Sequence, residues 1–153
     1  MASSPARELP LFSIAKSENK NQVAYAVRVD DRCVPLPGAP VIAYWRLLEQ
    51  GPDRVAPLLP REQRAYGIAS QTVGPEGTVR LVLRALPSRP ISVQVTRASD
   101  ASCHVQTKVV INGSPAYLFN VYLKLKWPAG VEYVLLRGWS LDRTHVVTEK
   151  LKP

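Results

Sequence analysis

The chain has 153 residues and a mass of 16.9 kDa, the size of one compact domain. Hydrophobic residues make up 46% and charged residues 21%, which excludes wholesale disorder. No apolar run approaches the ~20 residues that cross a bilayer, so no transmembrane segment is expected. Lys and Arg number 20 against 12 Asp and Glu, a net charge of +8. The basic residues are spread from Arg28 to Lys150, whereas a nucleic-acid stripe concentrates them on one element, so nucleic acid is not an expected partner.

Residues 1–10 read as a tail without the apolar stretch of a signal peptide, and 11–153 as a single domain. The protein is therefore expected to be cytoplasmic as the sequence stands, and exported if a leader precedes Met1. From Leu11 onward the dominant period is two, the signature of strands with one face in a core and the other in water. Strands are expected near 11–17, 22–30, 41–48, 67–73, 78–86, 91–97, 102–111, 116–126, 131–139 and 144–150. The alternation is clearest at Val79–Arg84, Ile91–Thr96, His104–Ile111 and Val121–Trp127. Pro35–Pro40 and Gly51–Pro57 read as loops. Pro60–Tyr66 is expected to be a short helix, with Pro at its first position and Gly67 after its end.

Turn signals separate the runs. Glu18–Asn21 divides the first two strands, and Asn112-Gly113 is the strongest hairpin signal because both residues tolerate positive φ. Gly74–Gly77, Pro87–Pro90, Ala98–Asp100 and Trp127–Gly130 are further breaks. Many short strands at regular spacing imply a sandwich or a barrel. Closure removes exposed edges, which favours an antiparallel up-and-down barrel, lipocalin-like in general architecture, of about eight to ten strands. Its interior is expected to include Val27, Trp45, Leu83, Val93, Val109, Leu125 and Leu135.

Catalytic patterns are missing from the sequence. There is no nucleophile elbow, no phosphate-binding loop and no cysteine pair at metal-ligand spacing, so no catalytic residue, metal or cofactor is assigned. His104 and His145 read as exposed strand and turn residues, with Asp142 close enough to approach His145. Glu132 is the acid whose burial would matter. Cys33 and Cys103 either meet in a disulfide or serve as small core residues.

The aromatic residues are more suggestive, because inward rings can line a small-ligand cavity in a barrel. Asn19 and Asn21 can close a hairpin through side-chain to backbone bonds. If the helix borders the same mouth as that turn, Ser17, Asn19, Asn21, Tyr25, Tyr44, Trp45 and Tyr66 form a polar rim over an aromatic-lined cavity.

Several of these residues also carry a resemblance. Ser17, Asn19, Asn21, Val23 and Tyr25, the pair Tyr44-Trp45, and Ala65-Tyr66-Gly67 at the end of the helix resemble a bacterial family of unknown function, numbered 4833, over nearly the whole chain. The resemblance implies one domain and no activity. Members often carry an export signal, which this sequence does not display. The leading expectation is a non-enzymatic barrel that binds a small apolar or amphipathic molecule. The alternatives are an interaction module whose basic surface meets an acidic protein or an anionic membrane face, and a cyclase- or isomerase-like barrel enzyme.

Overall fold

The computed structural model describes residues 7–126 and 130–152. The chain is mostly β with one short helix. Its strands are β1 (Arg7–Lys16), β2 (Asn19–Val29), β3 (Val41–Arg46), β4 (Val55–Pro57), β5 (Ile68–Val73), β6 (Thr78–Leu83), β7 (Leu86–Arg97), β8 (Cys103–Ile111), β9 (Ser114–Leu125), β10 (Val131–Ser140) and β11 (Val146–Leu151). The helix α1 is Pro60–Tyr66, between β4 and β5. β1 begins inside the segment read as a tail. Trp127 and most of the Trp127–Gly130 turn lie outside the described residues.

The strands form one eleven-stranded sheet in the order β4-β3-β2-β1-β9-β8-β7-β6-β5, with β10 on β9 and β11 on β10. The expected closed, up-and-down barrel is not what forms. β9 pairs antiparallel with β8 over Ser114–Tyr117 and then parallel with β1 over Asn120–Leu123, while β10 follows nearly its whole length. A single strand thus joins two wings, and the β1–β9 pair breaks the meander. β5, at one end of the path, meets β3, next to the other end, through a side chain. Gln71 accepts from the Val41 amide at 2.8 Å and donates to the Val41 carbonyl at 3.1 Å. One amide group therefore stands where a closed barrel would have a backbone ladder.

The alternation found in the sequence is what fills the interior. Val79, Leu81 and Leu83, Ile91, Val93 and Val95, Val109 and Ile111, and Val121 and Leu123 are all buried. With Ile14, Val23, Tyr25 and Val27 they make one cluster between the two wings. Val27, Trp45, Leu83, Val93 and Val109 are buried as expected, and Leu125 packs at the margin. Leu135 is a correction. It lies opposite Tyr122 on the outer face, and its neighbours Val134 and Leu136 are the buried ones.

Local chemistry explains two further departures. β7 continues through Pro87 and Pro90, where its pairing with β6 skips from Leu86 to Ile91, and the turn itself falls at 84–85. Pairing of β7 with β8 starts only at Ser92, so the prolines lie where no ladder donor is required. β4 forms inside the expected Gly51–Pro57 loop and pairs with Tyr44–Arg46. The Asn112-Gly113 turn is as expected, with φ of 53° and 80° between paired Ile111 and Ser114. Cys33 and Cys103 are joined in a disulfide that ties the β2–β3 connection to the start of β8.

Candidate functional site

The turn between β1 and β2, the edge strands β3 and β4, and the start of α1 surround an open groove of about 420 Å³. Lys16, Asn19 and Asn21 come from the first hairpin, Trp45 and Leu47 from β3 and its end, and Leu59 and Glu62 from the helix entry. The helix is held there by Glu62, which accepts from the Leu59 amide at 2.7 Å. Gly67 ends it in an extended conformation. Glycine is required there for space, because a Cβ would collide with the Gln63 carbonyl.

Trp45 is the floor of the groove. The Tyr66 ring meets it edge-on at 5.5 Å, and the Lys16 ammonium sits 5.2 Å from its centroid. The Lys16 side chain is only 9% exposed and bonds Glu18 at 3.0 Å. The ammonium thus lies on an aromatic face with its stem covered, and the anion it meets is the exposed Glu18 carboxylate. Below, Tyr25 stacks on Phe12 at 4.7 Å and donates its hydroxyl to the Tyr66 carbonyl. Burial pushes the Tyr25 ionisation far above the ordinary phenol value, with the Tyr66 phenol adding to it. Tyr66 is raised too, by burial first and then by Glu18 and Glu62.

The residues predicted for this site divide into three groups. Asn19, Asn21 and Trp45 line the groove, with Tyr66 against Trp45. Tyr25 lies beneath them as support. Ser17 and Tyr44 do not join. Ser17 donates its amide to the Leu123 carbonyl and accepts from the Leu125 amide at 3.0 Å, which pins the turn to β9. Tyr44 pairs with Ala24 and Pro57 on the face opposite Trp45. The asparagines have structural duties as well. Asn19 Oδ1 accepts from the Asn21 amide at 3.0 Å, and Asn21 Oδ1 accepts from the Glu49 amide at 3.1 Å. With those carbonyls committed, what each can offer a ligand is its NH2 group.

The remaining titratable residues have other surroundings. His104 and His145 are exposed. Ser102 links His104 to Asp100, and Thr144 links His145 to Asp142. Each serine or threonine hydroxyl donates to the carboxylate, so neither is a nucleophile activated by its histidine. Bonds from Ser140 and Thr144 lower the Asp142 carboxyl to about 2. Glu132 is exposed.

The family model named Domain of unknown function (DUF4833) matches residues 12–150. The chain belongs to that family. Neither a curated protein nor a solved structure matches it.

Proposed function

We propose that the protein is a non-enzymatic binding module and that the Trp45 groove takes a small amphipathic molecule with an anionic end. The carrying observation is the buried Lys16 stem with its ammonium over the Trp45 ring. An anionic group that takes the place of the exposed Glu18 carboxylate on Lys16 would leave the apolar part of the ligand against Trp45, Leu47 and Leu59. The groove volume of about 420 Å³ falls within the range of small-molecule sites, roughly 300–1,000 Å³. The Cys33–Cys103 disulfide supports work in an oxidising compartment, because disulfides persist there and are reduced in the cytosol.

Native mass spectrometry of protein purified gently from its own host tests this reading. A retained small molecule that is lost from the Trp45→Leu and Lys16→Met variants supports it. Ligand-free protein, together with unchanged Trp45 indole resonances on titration with medium-chain fatty acids and aryl carboxylates, rejects it.

A further inference from the structure

The sheet has a second notable surface. On the outer face of β8–β11, cross-strand partners form continuous rows. Lys108 lies opposite Tyr117, Tyr117 opposite Trp139 and Trp139 opposite Val146. Further along, Tyr122 lies opposite Leu135 and Leu135 opposite Lys150, while Lys124 lies opposite Tyr133. Direct partners share a face, so these rings and ammonium groups project to the same side. The register slips between Arg137 and Gly138, where Leu118 and Phe119 together face one position of β10. Such an extra residue re-aims its side chain. Phe119 is 38% exposed and Trp139 40% exposed, with their centroids 6.0 Å apart.

The cations on this face are held in place by rings. Arg143 lies 4.4 Å and Lys108 5.8 Å from the Tyr117 centroid, and Lys150 lies 4.2 Å from that of Tyr133. Among the described residues, the one exposed acid within these strands is Glu132, at the β10 irregularity beside Tyr133. Glu149 points to the other side and pairs with Arg89, and Asp142 is engaged in the β10–β11 turn. The dispersed basic residues of the sequence are thus partly gathered by topology.

We propose that this face binds an acidic polysaccharide, with a sugar ring on the Phe119–Trp139 platform and its carboxylate or sulfate groups on Arg143, Lys108 and Arg137. Charge complementarity carries the choice of an anionic partner. From Tyr133 to Trp139 the face extends roughly 20 Å at ~3.3 Å per residue, which suits a chain rather than a single small molecule. Nucleic acid fits less well. A strand of bases needs successive open rings, and Tyr117 and Tyr133 already carry cations on their faces. A membrane fits less well because the rings are interleaved with charges along the strands instead of forming one apolar tip. The disulfide also suits a compartment where acidic glycans are met.

Affinity electrophoresis and calorimetry of the intact protein with polygalacturonate and with heparin test this proposal, with dextran, a dT oligonucleotide and phosphatidylglycerol vesicles as comparisons. Binding to at least one acidic glycan is expected, weakening as salt rises and absent with dextran. Phe119→Ala/Trp139→Ala and, separately, Lys108→Gln/Arg137→Gln should each weaken it by about tenfold or more. The second pair changes only exposed polar ends and keeps the test open if the first fails to fold. Trp45→Leu should leave this binding unchanged. Binding to neither acidic glycan, equal binding to dextran, stronger binding to the oligonucleotide or the vesicles, or full affinity in the folded charge variant overturns the proposal.

Discussion

The Tyr25 hydroxyl donates to the backbone carbonyl of Tyr66, so the last residue of the only helix among the described residues hangs from the second strand. That bond ties the groove to the core, because Tyr25 is 1% exposed and stacked on Phe12.

Tyr25→Phe should therefore cost about 1 kcal/mol or somewhat more, because it strips a partner from a partly buried carbonyl. Amide exchange within Pro60–Tyr66 should rise more than in β6 or β7. The wild type should also lose stability as pH climbs past 10.0, the ordinary tyrosine value, since burial raises the Tyr25 ionisation in the folded state alone. Tyr25→Phe should flatten that alkaline slope in denaturation curves.

Gly113→Val should destabilise by on the order of 1–3 kcal/mol. The residue has φ 80°, and a Cβ there would meet nothing within 4 Å, so the cost is backbone strain without collision. An unchanged urea midpoint would refute this reading.

Acid should weaken the fold through carboxylates whose ionisation is depressed in the native state. Glu149 is lowered by Arg89 and by the Asn112 amide, and Asp142 is lowered to about 2 by Ser140 and Thr144. Their contribution is complete above the ordinary carboxylate range and disappears as pH falls towards about 2. Glu149→Gln should remove part of that acid slope. It should also loosen β11, because Arg89 bridges Glu149 and the Val110 carbonyl. Denaturant midpoints followed from pH 7 downwards would show both effects.

Reduction of Cys33–Cys103 releases a loop spanning 70 residues, which corresponds to a loss of roughly 2–4 kcal/mol. The Cys33→Ser/Cys103→Ser variant should match the reduced wild type in thermal midpoint. A midpoint equal to that of the oxidised protein would show that the cross-link constrains little.

Much of the core was legible because burial on one face imposes a period of two, as in Val79–Leu83 and Ile91–Val95. The helix was legible from Pro60 and Gly67. The fork at β9 was not. That one edge of β9 leaves β8 after Tyr117 and takes β1 from Asn120 is decided by residues far away in the chain, and Ile111 and Ile14 look equally apolar locally. β4 was hidden because three residues after Gly51-Pro52-Asp53 are too few to display a period. The part of the groove wall made by Ala56 and Pro57 was hidden with it. Tyr44 was placed beside Trp45 by adjacency, yet neighbouring strand residues face opposite sides. That the Lys16 ammonium lies over Trp45 was not legible, because the two residues belong to different strands.

β9 also dictates an order of events. The wing made by residues 7–46 and the wing made by residues 68–111 have no shared strand until Ser114–Leu125 exists. On a ribosome, both wings emerge with an open edge before the strand that covers them has been synthesised. Pairings such as Ser13 with Asn120 span more than a hundred residues, and contacts this distant form slowly. Each wing meanwhile presents unpaired strand edge to its neighbours, the condition under which chains associate wrongly. Truncation before residue 114 should accordingly yield aggregate rather than a smaller folded domain, and the final quarter of the chain acts as the step that commits the whole molecule to its structure.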